Sequence, residues 1–139
     1  MAKTLILGGA RSGKSAYAMR AAENVAGAKR RVIIVTAEAG DAEMAARIAH
    51  HKAERGERWQ TVEAPLALPE AIATLKADDA AVVDCLTLWI TNLLLRGDDM
   101  GVASAALCNA VKTCPAGGLP ASLTDASLLR RTDAFCLRR

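Results

Sequence analysis

The chain has 139 residues, a hydrophobic fraction of 52% and a formal net charge of +3, which together predict one globular domain with a buried core and exclude a disordered chain. The modest charge and the aromatic content of 3% argue against a nucleic-acid partner. Because no charged segment precedes a long apolar one, we expect neither a signal peptide nor a transmembrane span, and no membrane partner.

The first predicted elements enclose a glycine-rich loop. A buried strand is predicted at 4–8 and a helix at 16–25. The segment between them matches the phosphate-binding pattern G-x-x-x-x-G-K-[ST] at every fixed position: Gly8-Gly9-Ala10-Arg11-Ser12-Gly13-Lys14-Ser15. Such a loop aims backbone N–H groups at a phosphate beside the positive end of a helix. We predict that Lys14 reaches the β- and γ-phosphates and that the Ser15 hydroxyl binds Mg²⁺; the alternative is a glycine-rich turn without a ligand.

Strands and helices continue to alternate up to residue 96. They are predicted, in chain order, at 31–36, 41–58, 59–63, 69–76, 80–85 and 86–96. The strands at 31–36 and 80–85 are continuously apolar, as strands of a parallel sheet buried on both faces are. With the phosphate-binding loop, this order predicts an α/β fold of the P-loop NTPase-like type, with three layers and a mostly parallel sheet. Asp41 is the predicted N-cap of the second helix.

Asp84 ends the predicted strand at 80–85. A carboxylate at the end of a buried strand costs free energy unless it has a partner. Nucleotide enzymes with a phosphate-binding loop use an acid at this place to hold Mg²⁺, so we predict a metal site formed by Ser15 and Asp84. The alternative, compatible with the first, is that Asp84 caps the helix that begins at Leu86.

The predicted helix 41–58 carries polar side chains at intervals of four, which place them on one face: Glu43, Arg47, His51 and Arg55. A solvated charged stripe would explain every member except His51. A neutral imidazole is a competent nucleophile toward phosphorus, and flanking arginines would hold phosphates against it. The pattern leaves His51 open between a nucleophile and a surface residue.

Beyond residue 96 no β-branched run occurs, so no further buried parallel strand is predicted. A weak helix is predicted at 103–112, and the proline- and glycine-rich segment 115–120 is predicted to interrupt regular structure. The four cysteines lack C-x-x-C spacing, which predicts free, buried thiols in a reduced, cytoplasmic protein. They are Cys85, Cys108, Cys114 and Cys136.

Four segments, 8–15, 41–52, 59–63 and 83–94, resemble in this order the bifunctional adenosylcobinamide kinase / adenosylcobinamide-phosphate guanylyltransferase family of cobalamin biosynthesis. The resemblance implies phosphorylation of adenosylcobinamide by ATP or GTP, followed by transfer of GMP from GTP to that phosphate. It also implies a small P-loop domain, often assembled into homotrimers.

The resemblance also implies the site residues. The second of two adjacent histidines, His51, is the one transiently guanylylated in the family, and it joins Lys14 as a catalytic residue. The implied nucleotide-binding residues are Gly8, Gly9, Ala10, Arg11, Ser12, Gly13, Lys14, Ser15, Val35, Thr36, Ala37, Lys52, Ala53, Glu54, Arg55, Glu63 and Asp84.

The resemblance covers about residues 3–96, and the family's C-terminal segments are not recognisable after it. We therefore expect a nucleotide-binding domain at 1–96 that lacks the C-terminal strands of the family. Residues 97–139 are expected to be an atypical tail, truncated or out of frame. Two other functions remain open: a P-loop kinase of another small metabolite without guanylyl transfer, and a degenerate homologue that binds nucleotide without turnover.

Overall fold

The computed structural model describes residues 2–9, 12–38, 40, 42–116 and 118–123. Only the backbone is described along 118–123 and at Ala2, Met44, Arg47, His51, Glu54 and Arg55. Asp41, the predicted helix cap, lies outside the described residues.

Five strands and five helices make up the described fold. They are β1 (Ala2–Leu7), α1 (Lys14–Glu23), β2 (Arg30–Val35), α2 (Ala42–Arg55), β3 (Trp59–Glu63), α3 (Leu68–Ala73), β4 (Asp79–Asp84), α4 (Leu86–Arg96), α5 (Met100–Thr113) and β5 (Gly118–Leu123). The strands form one sheet in the order β1-β5-β4-β2-β3, and every pairing is parallel. The predicted α/β class and parallel sheet are confirmed, and each element predicted before residue 97 is present within a few residues of its expected bounds.

The two sides of the sheet carry separate apolar clusters, which makes the fold three-layered. On one side α1 packs Ala18 and Ala22 against alternate residues of β2 and β4. On the other side α3, α4 and α5 cover the intervening residues of the same strands, with Trp89 fully buried among them. Successive strand residues point to opposite faces, so continuous apolar runs were needed to fill both clusters.

The prediction that no strand follows Gly97 is wrong. The strand β5 lies between β1 and β4 and pairs with both. Its sequence has no β-branched residue, and Pro120 lacks the N–H that a ladder requires. Strand propensity is dominated by neighbouring partners, and here two parallel neighbours outweigh a poor local sequence. The sheet therefore contains a strand beyond Gly97, and the predicted interruption of regular structure at 115–120 is wrong for residues 118–120, which begin β5.

The weak helix predicted at 103–112 is confirmed as part of the longer α5. Asp99 caps it, because its side chain accepts hydrogen bonds from the backbone N–H groups of Gly101 and Val102. Gly97, at φ +77°, ends α4 just before this cap. A sharp turn therefore folds α5 back toward α3, onto the same side of the sheet.

The cysteines only partly follow the prediction. Cys85 and Cys114 are free and buried, whereas Cys108 is disulfide-bonded, so the expectation of a free thiol fails there. Cys136 lies outside the described residues. In the part of the chain that the structure describes, none of the helices has the length and apolar character needed to cross a membrane.

An ion pair joins the starts of β2 and β4 at the amino edge of the sheet. The Arg30 guanidinium donates from Nε to Asp79 Oδ1 at 2.8 Å and from a terminal nitrogen to Oδ2. It also donates to Gln60 on β3 at 3.1 Å, and the backbone N–H of Lys76 donates to Asp79 at 2.7 Å. These donors hold the pKa of the buried Asp79 carboxyl below its usual value, with the Arg30 hydrogen bonds as the main cause.

Candidate active site

The carboxyl ends of the parallel strands share one edge of the sheet, which is where open α/β sheets bind ligands. The phosphate-binding loop follows β1 at this edge. Thr36 follows β2, Ala64 follows β3, and Asp84 is the last residue of β4. The structure therefore brings the two strongest sequence signals, the loop and Asp84, to the same edge.

Two glycines shape the loop. A Cβ on Gly8 would lie 2.6 Å from Ser12 Oγ, closer than real Cβ contacts come, and a tight 3.3 Å from Lys14 Cγ. Gly13 has φ +82° and is the N-cap residue of α1, a conformation that side chains other than glycine rarely adopt. The loop consequently folds tightly over Gly8 and turns into the helix at Gly13, as a phosphate cradle must.

Lys14 lies folded against this loop. Its ammonium donates to the backbone oxygen of Gly9 at 2.5 Å and to Ser12 Oγ at 3.3 Å. The charge is therefore held beside the N-terminus of α1, where both the lysine and the helix dipole favour an anion. Ala10 and Arg11, which complete the predicted cradle, lie outside the described residues.

The first turn of α1 meets the end of β4 through Ser15 and Asp84. The Ser15 hydroxyl donates to Asp84 Oδ2 at 3.1 Å. Adjacent ligands of an octahedral magnesium ion lie about 2.9 Å apart, given metal–oxygen distances of 2.0–2.1 Å. These two hard oxygen donors therefore fit Mg²⁺ in both chemistry and separation. The alternative role for Asp84 does not hold, because the N-cap residue of α4 is Cys85.

Thr36 ties the end of β2 to the end of β4. Its hydroxyl donates to the backbone oxygen of Cys85 at 2.6 Å and accepts from the backbone N–H of Cys85 at 3.0 Å. Its own N–H donates to the Asp84 carbonyl at 3.1 Å. Because Thr36 is fully buried, these bonds satisfy groups that would otherwise cost free energy, and they fix the backbone on both sides of the Asp84 carboxylate.

The same edge holds an amide that sequence reasoning missed. Asn92, in the middle of α4, donates through Nδ2 to the Thr36 carbonyl at 2.9 Å and to the Pro65 carbonyl at 3.0 Å. One signal was available: Asn92 is the only amide side chain in a helix otherwise made of apolar residues, two threonines and a terminal arginine. A half-buried amide in such a helix indicates a specific polar contact.

The other residues predicted to contact the nucleotide at the ends of β2 and β3 differ in their exposure. Val35 is buried and Ala37 is half-buried after β2, so Val35 belongs to the core as well as to the site's edge. Glu63 is exposed at the end of β3, directly opposite Val35 in the register. Among these, Glu63 offers the charged group that a ligand at this edge would meet.

The helix α2 carries the predicted nucleophile, but the side chain of His51 is not among those described. The backbone places His51, Glu54 and Arg55 in the second half of α2. Lys52 and Ala53 are exposed, as are the other described side chains of α2 except the half-buried Ile48. The proximity of His51 to the phosphate-binding loop therefore stays a prediction.

Cys85 contributes a thiol next to Asp84. Burial raises the pKa of this thiol above its usual value. At neutral pH the thiol is therefore protonated, and it adds no negative charge beside the predicted phosphate site.

Comparison with known proteins agrees with this geometry. The family model described as cobinamide kinase / cobinamide phosphate guanyltransferase matches residues 4–118, further than the motifs alone extend. The bifunctional adenosylcobalamin biosynthesis protein CobP of Pseudomonas aeruginosa is 54% identical over 101 residues, which are 69% of this chain and 55% of that protein. The corresponding CobU proteins of Salmonella typhimurium and Escherichia coli are 47% and 45% identical over 92 residues, 65% of this chain and 49% of each relative. The chain thus spans about half the length of the curated relatives it matches.

Proposed function

The chain belongs to the cobinamide kinase / cobinamide phosphate guanyltransferase family, and from this premise we propose that it phosphorylates adenosylcobinamide with ATP or GTP and then transfers GMP from GTP to the new phosphate. The observation that carries the proposal is the hydrogen bond between Ser15 of the phosphate-binding loop and Asp84 at the end of β4. This bond joins a hydroxyl of the phosphate-binding loop to a carboxylate, the two oxygen groups that would hold the magnesium ion of a nucleotide. The description of the family names both the kinase and the guanyltransferase.

In the kinase step the hydroxyl oxygen of the aminopropanol group attacks the γ-phosphorus. The bond from that phosphorus to the β–γ bridging oxygen breaks, the nucleoside diphosphate leaves, and the hydroxyl proton passes to solvent. Negative charge accumulates on the transferred group, where the loop N–H groups and the Lys14 ammonium stabilise it. We propose that Ser15 and Asp84 hold Mg²⁺, which when bound would neutralise charge on the phosphates.

In the guanylyl step we propose His51 as the nucleophile. An imidazole nitrogen attacks the α-phosphorus of GTP, the bond to the α–β bridging oxygen breaks, and pyrophosphate leaves. A phosphate oxygen of adenosylcobinamide phosphate then attacks the same phosphorus, and the phosphorus–nitrogen bond breaks. His51 is regenerated and the product is adenosylcobinamide-GDP.

The two steps attack different phosphorus atoms, so one nucleotide pose does not serve both. We propose that the nucleotide binds in two poses or that α2 moves between the steps. Most described side chains of α2 are exposed, which supports a movement of this helix. Moving a helix with few buried side chains breaks few packing contacts and therefore costs little free energy.

Further proposals follow from the family rather than from the coordinates. We propose a homotrimer and a cytoplasmic location, where ATP and GTP are available. The division into a nucleotide-binding domain at 1–96 and an atypical tail at 97–139 also remains a proposal. Lys52 to Arg55 and Glu63 are proposed to contact the nucleotide.

The direct test is product formation by the purified chain with adenosylcobinamide, GTP and Mg²⁺, separated by chromatography. We expect adenosylcobinamide phosphate first and adenosylcobinamide-GDP second. Lys14→Met should lower kcat/KM for the first product about 10²- to 10³-fold, as the loss of a transition-state donor does. Lys112→Met, an exposed lysine in the last turn of α5, is the matched control and should behave as wild type.

Two outcomes would contradict the proposal in different ways. Binding of GTP without either product would make the chain a nucleotide binder without turnover. Formation of the phosphate alone, with GTP in excess, would make it a small-metabolite kinase in which His51 has no chemical role.

A further inference from the structure

We propose that Asn92 is a positioning residue that sets the affinity of the site for the nucleoside part of its nucleotide and leaves the affinity for the phosphates unchanged. The inference rests on the proposed function only in taking a nucleoside triphosphate as the ligand. It assigns a role to a side chain that none of the motifs singles out.

The side-chain amide of Asn92 donates hydrogen bonds to two different loops, one after β2 and one after β3. A carboxamide nitrogen has two donors, and here both are used, at 2.9 Å to the Thr36 carbonyl and at 3.0 Å to the Pro65 carbonyl. Thr36 begins the segment after β2, and Pro65 lies in the segment after β3. This side chain therefore joins the two strand-end segments, next to the backbone bond from the Ala64 N–H to the Val35 carbonyl at 2.8 Å.

The Thr36 peptide is held from the opposite side as well. Its hydroxyl is bonded to both backbone groups of Cys85, and its N–H to the Asp84 carbonyl. Removing the Asn92 amide leaves the Thr36 and Pro65 carbonyls without this donor while the bonds to Cys85 remain. The expected consequence is a local shift of the two segments rather than loss of the sheet, since the apolar clusters on both faces are unchanged.

Among the described residues of the phosphate-binding loop, none has a side-chain hydrogen bond to Asn92, Thr36 or Pro65. The loop joins β1 to α1, and the hydrogen bonds of its described side chains run among Gly9, Ser12 and Lys14 and from Ser15 to Asp84. In the sheet order, β2 and β3 lie three and four places from β1, or roughly 14 to 19 Å at about 4.8 Å per strand, whereas Asp84 lies on the strand next to β2. The bonds from Thr36 to Asp84 and Cys85 hold that strand end independently of Asn92. The segments joined by Asn92 and the phosphate-binding loop thus lie at different places along the same edge of the sheet.

Ligands of open α/β sheets lie along the carboxyl edge, and the proposal places the nucleoside on the part of that edge at the ends of β2 and β3. There it would meet the half-buried Ala37 and the exposed carboxylate of Glu63. The Asn92 amide donates its hydrogen bonds to Thr36, which precedes Ala37 in the chain, and to Pro65, which follows shortly after Glu63. Its effect should therefore appear in binding of the nucleoside and be absent from binding of phosphates alone.

The neighbouring Thr91 provides a matched control on the same helix. Its hydroxyl donates to the Thr87 carbonyl at 2.9 Å, within α4 itself, and its side chain is exposed. Thr91→Ala therefore removes a polar group one position away without touching either strand-end segment.

The experiment is isothermal titration of the full chain with two probes, GTP and inorganic tripolyphosphate, each with Mg²⁺. Asn92→Ala should weaken GTP binding about tenfold, because part of the binding free energy, about 1.4 kcal/mol, would be needed to restore the position of the two segments, and it should leave tripolyphosphate binding unchanged. Thr91→Ala should change neither. Equal weakening for both probes, no change for GTP, or equal affinity of the wild type for the two probes would overturn the proposal.

A second variant covers the case in which Asn92→Ala does not fold. Asn92→Gln keeps both donors on an arm one methylene longer, and it should weaken GTP binding about threefold without affecting tripolyphosphate. A Gln variant that alters both probes equally would contradict the proposal. The experiment measures binding and not turnover. If Asn92→Ala weakens only GTP binding while the wild type forms no product, the proposed function is contradicted and the role of Asn92 is supported.

Discussion

Ser15 and Asp84 are joined by a hydrogen bond of 3.1 Å between Oγ and Oδ2, which connects the first turn of α1 to the last residue of β4. They are 69 residues apart in the chain. The parallel sheet brings them together, because β5 lies between β1 and β4 and sets the distance from the loop to the carboxylate. The strand that local sequence argued against is thus part of what assembles the site.

The first prediction concerns metal dependence of nucleotide binding. If Ser15 and Asp84 hold the ion together, Mg²⁺ should strengthen GTP binding by the wild type, and Ser15→Ala or Asp84→Asn should each remove most of that gain. Because the two act as one site, the double variant should lose little more than either single variant. Titration with and without Mg²⁺ measures this, with Asp98→Asn in the turn after α4 as control. Full Mg²⁺ dependence in both single variants would exclude this metal site.

The second prediction tests the close approach at Gly8. Gly8→Ala should lower the free energy of unfolding by about 1 kcal/mol, because its Cβ would overlap Ser12 Oγ and displace a side chain that accepts a hydrogen bond from Lys14. Gly9→Ala, where a Cβ meets nothing within 4 Å, should leave it unchanged. Urea unfolding without nucleotide compares them. Adding Ser12→Ala to Gly8→Ala should restore part of the loss, and an unrelieved double variant would disprove the proposed overlap.

The third prediction concerns the Thr36 hydroxyl. Thr36→Val has nearly the same shape but leaves the backbone N–H of Cys85 without the Thr36 hydroxyl as its acceptor. It also removes the shorter of two bonds to the Cys85 carbonyl, which keeps the Trp89 N–H at 3.4 Å. The free energy of unfolding should therefore fall by about 1–3 kcal/mol. Thr36→Ser keeps the hydroxyl and should lose less. Chemical denaturation of both variants decides the point; a valine variant as stable as wild type would mean that the hydroxyl bridge is not needed.

The fourth prediction is the acid dependence of stability. The pKa of Asp79 is lower in the folded chain than its ordinary value, so ionised Asp79 stabilises the fold above that ordinary value. This stabilisation is lost as pH falls through the folded-state pKa, in the range below about pH 4. Asp79→Asn should lower the free energy of unfolding at pH 7 by about 2 kcal/mol and flatten its decline toward acid pH.

Asp78→Asn is the matched control for this change. Asp78 is the preceding residue, with 43% of its side chain exposed and a 3.5 Å contact to an exposed lysine, Lys29. A surface pair of this kind contributes little, so the acid slope should remain. If Asp79→Asn leaves the slope as steep as in wild type, the ion pair does not govern acid stability.

The phosphate-binding loop and Asp84 could be predicted because each signal is local. Fixed glycine, lysine and serine positions define the loop, and an acid after an apolar run marks the strand end. The contacts of Asn92 could not be predicted in this way. Its partners lie 56 and 27 residues away in the chain, in segments without regular structure, so the contact exists only once the strands have paired.

The strand β5 failed prediction for a related reason. Residues 118–123 have poor strand propensity, and only the free edges of β1 and β4 make a strand of them. Register between parallel strands is a tertiary property, whereas periodicity describes one segment at a time. Helices such as α4, whose bounds match the prediction at both ends, depend mostly on their own sequence.

The central claim is that α2 carries a guanylylated histidine beside the phosphate-binding loop. Incubation of the full chain with GTP labelled at the α-phosphate, followed by acid treatment, measures it directly. The account predicts an acid-labile label on the wild type and on His50→Ala, and none on His51→Ala. Label retained by His51→Ala, or absent from wild type that binds GTP, would contradict it.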